Sequence, residues 1–115
     1  MQYSKLVVYT PLSHAEQVRK VLGAAGGGKL GKYDFCSFSV KGTGRFRPLA
    51  GSKPHLGKIG KIAEVEEERI EVLVETSQTK EIIEQIKKVH PYEEPAIELY
   101  PLLHPYRSSH NLETK

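Results

Sequence analysis

Residues 64–102, EVEEERIEVLVETSQTKEIIEQIKKVHPYEEPAIELYPL, place a strand, a helix and a second strand in succession. Ile70-Glu71-Val72-Leu73-Val74 is the centre of a strand running over Glu64–Glu75, rich in the side chains that suit a pleated surface. Thr76 or Ser77 then stands where a helix cap belongs, and Ile82, Ile83, Ile86 and Val89 fall on one helical face. Lys87 and Lys88 come in the last turn, where cations oppose the negative end of the helix dipole. His90-Pro91 ends the helix, and Ala96–Leu102 supplies the next strand.

Upstream, the same order occurs once more. Tyr3–Thr10 (YSKLVVYT) reads as a strand closed by Pro11. Ser13 with Glu16 fits a capping box, and Val18, Val21, Leu22 and Ala25 share a helical face. Gly26-Gly27-Gly28 stops that helix, and Tyr33–Val40 (YDFCSFSV) reads as a second strand with both faces covered. The element order is βαββαβ. Right-handed crossovers put both helices on one side, so the predicted fold is an α+β, ferredoxin-like sheet of four antiparallel strands. The other sheet face carries Tyr3, Tyr9 and Tyr100, and association through it would bury surplus apolar surface.

The chain of 115 residues is expected to form a single domain over 1–103, with a polar tail at 104–115. With 38% hydrophobic and 27% charged residues, and a mean hydropathy of −0.43, it has the composition of a globular chain. A lone cysteine, Cys36, excludes an intrachain disulfide framework or a multi-thiolate zinc site. No apolar run is long enough for a membrane span and no signal-peptide pattern opens the sequence, so a cytoplasmic location is expected.

Charge is uneven. Lys29–Lys61 contains eight basic residues against the single acid Asp34, and Glu64–Glu75 follows as an acidic run. Most of the basic charge lies in a loop expected over 41–61, which holds five glycines and two prolines. Such a length without regular structure points to function. Within it, Arg45, Arg47, Lys53 and His55 are the candidate ligands for a small anion or a nucleotide. The same loop reads equally as a hairpin extension packed on a neighbouring subunit, with its arginines pairing the Glu64–Glu68 run. Nucleic acid is disfavoured, because Phe46 is the only Phe, Tyr or Trp in the 41–61 loop and no recognition-helix pattern occurs. The loop is not a Walker motif, and Cys36 and the serines lack the surroundings of a nucleophile.

The second motif is Lys87-Lys88-Val89-His90-Pro91-Tyr92-Glu93-Glu94-Pro95. One imidazole and two carboxylates make His90, Glu93 and Glu94 candidate ligands for a divalent metal ion. The alternative is an ordered turn in which His90 hydrogen-bonds the helix end, Tyr92 packs and the two acids face water.

Together, Gly42-Thr-Gly-Arg-Phe-Arg-Pro-Leu-x-Gly-Ser-x-Pro-His-x-Gly57 and His90-Pro-Tyr-Glu-Glu-Pro-Ala96, with Tyr100-Pro-Leu102, resemble the inserted domain of Nif-three-like proteins over residues 2–103. The turn Lys87-x-x-His90-Pro-Tyr-Glu-x-Pro95 is similar to that of the divalent-cation-tolerance protein CutA. This likeness implies a stand-alone version of the insert with a PII/CutA-like fold, assembled as a homotrimer. It implies no hydrolase, since the His-rich metal-centre motifs of the flanking Nif-three-like domain do not occur here. By analogy with PII proteins, the loop over 41–61 is where a nucleotide would bind between subunits. The expected function is a non-catalytic ligand-binding or regulatory module, with a metal-binding protein second and an enzyme last.

Overall fold

A computed structural model describes residues 2–103; the polar tail over 104–115 lies outside the described residues. The elements are β1 (Tyr3–Pro11), α1 (Leu12–Ala24), β2 (Phe38–Phe46), β3 (Ala63–Glu75), α2 (Thr79–Val89) and β4 (Ile97–Leu102), with a single 3-10 turn at Thr76–Gln78 before α2. The four strands form one antiparallel sheet in the order β2-β3-β1-β4. This is the expected ferredoxin-like arrangement.

Alternation along β1 and β3 sends Leu6, Val8, Ile70, Val72 and Val74 toward the helices, where they meet Val18 and Leu22 of α1 and Ile82 and Ile86 of α2. All nine are buried, and they form the core. Glu68 also lies on the buried side, and Arg19 of α1 reaches over to hold its carboxylate. The open face carries Lys5 and Arg69 on either side of Glu71, at 3.3 and 3.2 Å, with the Arg69 guanidinium 6.0 Å from the Tyr9 ring centre. Phe38, Val40 and Tyr100 are exposed at 66%, 47% and 44%, more than an ordinary outer sheet face requires. β4 is an edge strand, and it accommodates Pro101.

Two expected caps do not form. Helix α1 starts at Leu12, directly after the strand, so Ser13 is already inside the first turn and Pro11 occupies the cap position. Its hydroxyl instead meets His14 Nδ1 at 2.8 Å, and Glu16 pairs with Lys20. At α2, Thr76 begins the 3-10 turn rather than capping the helix; its hydroxyl bonds that of Ser4, and Thr79 Oγ1 donates to its carbonyl. The glycine stop after α1 does form. Gly26 adopts φ +106° and Gly27 returns its N–H to the Leu22 carbonyl.

The largest correction is β2, which was expected over Tyr33–Val40 and lies instead over Phe38–Phe46. Phe35 takes a left-handed backbone (φ 57°) and lays its ring over Gly23, and the Cys36 N–H donates to the Gly28 carbonyl. The segment before Phe38 is thus wrapped against the end of α1. The strand begins at Phe38, opposite Glu71 of β3, and it continues through Gly42, Gly44 and Arg45 as far as Phe46. The unstructured loop is correspondingly shorter, spanning 47–62.

Candidate functional site

The β2–β3 register explains what becomes of the basic segment. Lys41 stands opposite Glu68 and Arg45 opposite Glu64, so the acidic run faces the basic one across the ladder. Arg45 Nε donates to Glu64 Oε2 at 3.1 Å, with both side chains more than half exposed. The pairing of an arginine with the acidic run, one part of the hairpin alternative, is thus made within one chain.

Beyond the strands, the 47–62 loop folds back over the turn between α2 and β4. The main-chain N–H of Lys53 donates to Glu93 Oε1 at 2.8 Å, which ties the loop to that turn. Beneath the loop is a cleft of about 450 Å³, within the usual range for small-molecule sites. Arg45, Arg47 and His55 line it, while Lys53 is absent from the lining and contributes its backbone tie. Glu93 and Glu94 also line it, and the rest of the wall is mainly apolar, from Phe46, Leu49 and Leu56.

His90 organises the turn from below. It is buried, and its Nε2 lies 2.7 Å from the Tyr9 carbonyl, to which it donates. Nδ1 accepts the Tyr92 N–H at 3.2 Å. Burial pushes its pKa below the usual 6.5 against the opposing pull of the Tyr9 carbonyl and of Glu67, with His14 and His55 adding to the depression. Both ring nitrogens are thus engaged by main chain, and in this arrangement the imidazole presents no lone pair to a cation. Among the described residues no group of three or more His, Cys, Asp and Glu side chains lies close enough to hold a metal ion.

Tyr92 carries the arrangement onward. Its hydroxyl donates to Glu67 Oε2 at 2.8 Å, and burial together with that carboxylate raises its pKa, so the proton stays on the phenol. Phe46 and His55 stand against its ring at 5.8 and 6.4 Å, and His14 meets His55 edge-on at 5.9 Å. Glu67 and His14 are not singled out by the sequence, and Tyr9 is marked there only as part of the open sheet face; none of the three is expected at this site. They come from β1, β3 and α1, and no local spacing relates them; only the sheet register and the fold-back of the loop bring them together.

Sheet and helices together have a PII/CutA-like fold. The solved structure of the periplasmic divalent cation tolerance protein CutA from Archaeoglobus fulgidus is similar to it at a TM-score of 0.66 and 21% identity, over 90% of this chain and 87% of that one. CutA1 from Pyrococcus horikoshii matches at a TM-score of 0.68 and 20% identity, over 91% and 88%.

The homologues of this chain are Nif-three-like (NIF3-family) proteins, as the two motifs implied. It is 49% identical over 98 residues to the GTP cyclohydrolase 1 type 2 homolog of Halalkalibacterium halodurans and 46% identical to that of Bacillus subtilis, covering 85% of this chain and 26% of each relative. The structure of a Bacillus cereus protein related to NIF3 matches at a TM-score of 0.79 and 43% identity, over 90% of this chain and 26% of that one. The chain thus spans about a quarter of the length of these relatives. No family model matches it. Among the described residues, no helix is long and apolar enough to cross a membrane.

Proposed function

We propose that the chain is a non-catalytic binding module of the PII/CutA kind, taking a small anion-bearing ligand under the 47–62 loop. The observation that supports this reading is the cleft itself: a long loop tied to the turn by Lys53 and Glu93, with two arginines and His55 on the wall. Arg45 and Arg47 would take a carboxylate or phosphate through their guanidinium forks, and His55 would pack on the ligand body. Copies of the chain would associate, as a trimer, through the open sheet face, covering Phe38, Val40 and Tyr100. Calorimetric titration with inorganic phosphate and nucleotides tests the site. Heat that disappears in the Arg45→Ala, Arg47→Ala double variant is expected, and no heat from any anion-bearing probe would discard the reading. Light scattering tests the assembly, which a monomer mass at micromolar concentration would refute.

A further inference from the structure

The best-placed anchor in this cleft is an acid. Glu67 projects from β3 opposite Gly42, and its two oxygens are treated differently. Oε2 is fixed by the Tyr92 hydroxyl, whereas Oε1 has no hydrogen-bond or ionic partner among the described residues. Oε1 lies against Gly44, in the space a Cβ would fill, so the glycine is what lets the carboxylate settle there. Tyr92 is held in turn by His90, and His90 by the end of β1. The free oxygen is therefore a pre-positioned acceptor on the wall of an aromatic and apolar cleft.

A simple anion would use only part of this site. Seated near Arg47, it would also have Glu67, Glu93 and Glu94 on the same lining. A ligand carrying both charges uses every part of it. A protonated amine would meet Glu67 Oε1 beside the faces of Tyr92 and Phe46, through a charge-assisted hydrogen bond with cation–π support. A carboxylate on the same molecule would reach Arg47, and an apolar side chain would rest on Leu49 and Leu56.

We propose that the ligand class of this cleft is a small zwitterion, an α-amino acid with an apolar side chain, its ammonium on Glu67 and its carboxylate on Arg47. The inference rests on the cleft being the ligand site and supplies the chemistry of its occupant.

The test is calorimetric titration with L-phenylalanine, phenylpropionate and phenethylamine, which share a body and differ in charge. Phenylalanine should bind about tenfold more tightly than either analogue, as the loss of one charge-assisted hydrogen bond implies. Glu67→Gln should weaken phenylalanine by a similar factor without weakening phenylpropionate; Arg47→Ala should weaken phenylalanine without weakening phenethylamine. Tyr92→Phe, which frees the Glu67 carboxylate without removing it, should weaken phenylalanine less than Glu67→Gln. Phenylpropionate binding as tightly as phenylalanine, or indifference to Glu67→Gln in a variant with an unaltered circular-dichroism spectrum, overturns the Glu67 anchor while the anion site survives. Heat from phosphate or nucleotide with none from these three probes has the same meaning. Silence from every probe overturns both readings.

Discussion

Strand β3 belongs to two different environments. Its second half, Ile70–Glu75, pairs with β1, packs one face against the helices and buries every other side chain. Its first part, Ala63–Glu66, projects past the end of β1 with β2 as its only strand partner among the described residues, and none of its residues is fully buried. One strand thus contains a part held by apolar burial and a part held by backbone pairing and opposed charge. The ion pairs repeat the division. Glu68 is 8% exposed against Arg19, whereas Glu64 is 64% exposed against Arg45.

The largest effect that separates the halves is side-chain truncation. Ile70→Ala should cost about 2–5 kcal/mol in urea unfolding, while Val65→Ala should cost about 1 kcal/mol or less. Equal losses would mean that the overhang has a core of its own. Next comes the buried ion pair. Arg19→Ala leaves the Glu68 carboxylate without its partner beneath α1 and should cost about 2 kcal/mol, reduced from the fully buried case because Arg19 is 36% exposed.

The turn gives the third. His90→Ala removes two hydrogen bonds to main chain and should cost about 1–2 kcal/mol. The wild type should also lose stability in acid. Because burial holds the folded imidazole below 6.5, the unfolded chain takes up this proton first as the pH falls. Stability is full above 6.5 and declines as the pH drops from there toward the folded pKa. Glu67 opposes the decline, whereas His14 and His55 facing the ring steepen it. Urea midpoints at neutral and mildly acidic pH should differ less in His90→Ala than in the wild type. The smallest effect is Arg45→Ala, at about 0.5 kcal/mol, because its pair is exposed and screened; a double-mutant cycle with Glu64→Ala measures it.

The same division governs what could be read from the sequence. Where burial decides, spacing is enough: Leu6 and Val8, Val18 and Leu22, and Ile82 and Ile86 mark their elements by pattern alone. β2 was misplaced because its residues do not declare a strand. Phe38-Ser-Val-Lys-Gly-Thr-Gly-Arg-Phe46 has two glycines and two cations, and its extended form comes from the ladder with β3 rather than from its own propensity. Tyr33–Cys36 has the composition of a strand but wraps against α1 once Phe35 settles on Gly23. For the cleft, the sequence indicated the arginines and His55, because clustered charge in a long loop stands out. It was silent on Glu67, one acid among many in the run, whose significance depends on a tyrosine 25 positions away.

Pro101 gives the sheet a direction in which it can grow. A prolyl nitrogen has no proton to offer, so the outer margin of β4 is a poor template for another extended segment. The margin of β2 is longer, reaching from Phe38 to Phe46, and has no such block. Any strand recruited from outside would therefore be expected to join at β2, on the same hairpin that carries Arg45 and leads into the cleft.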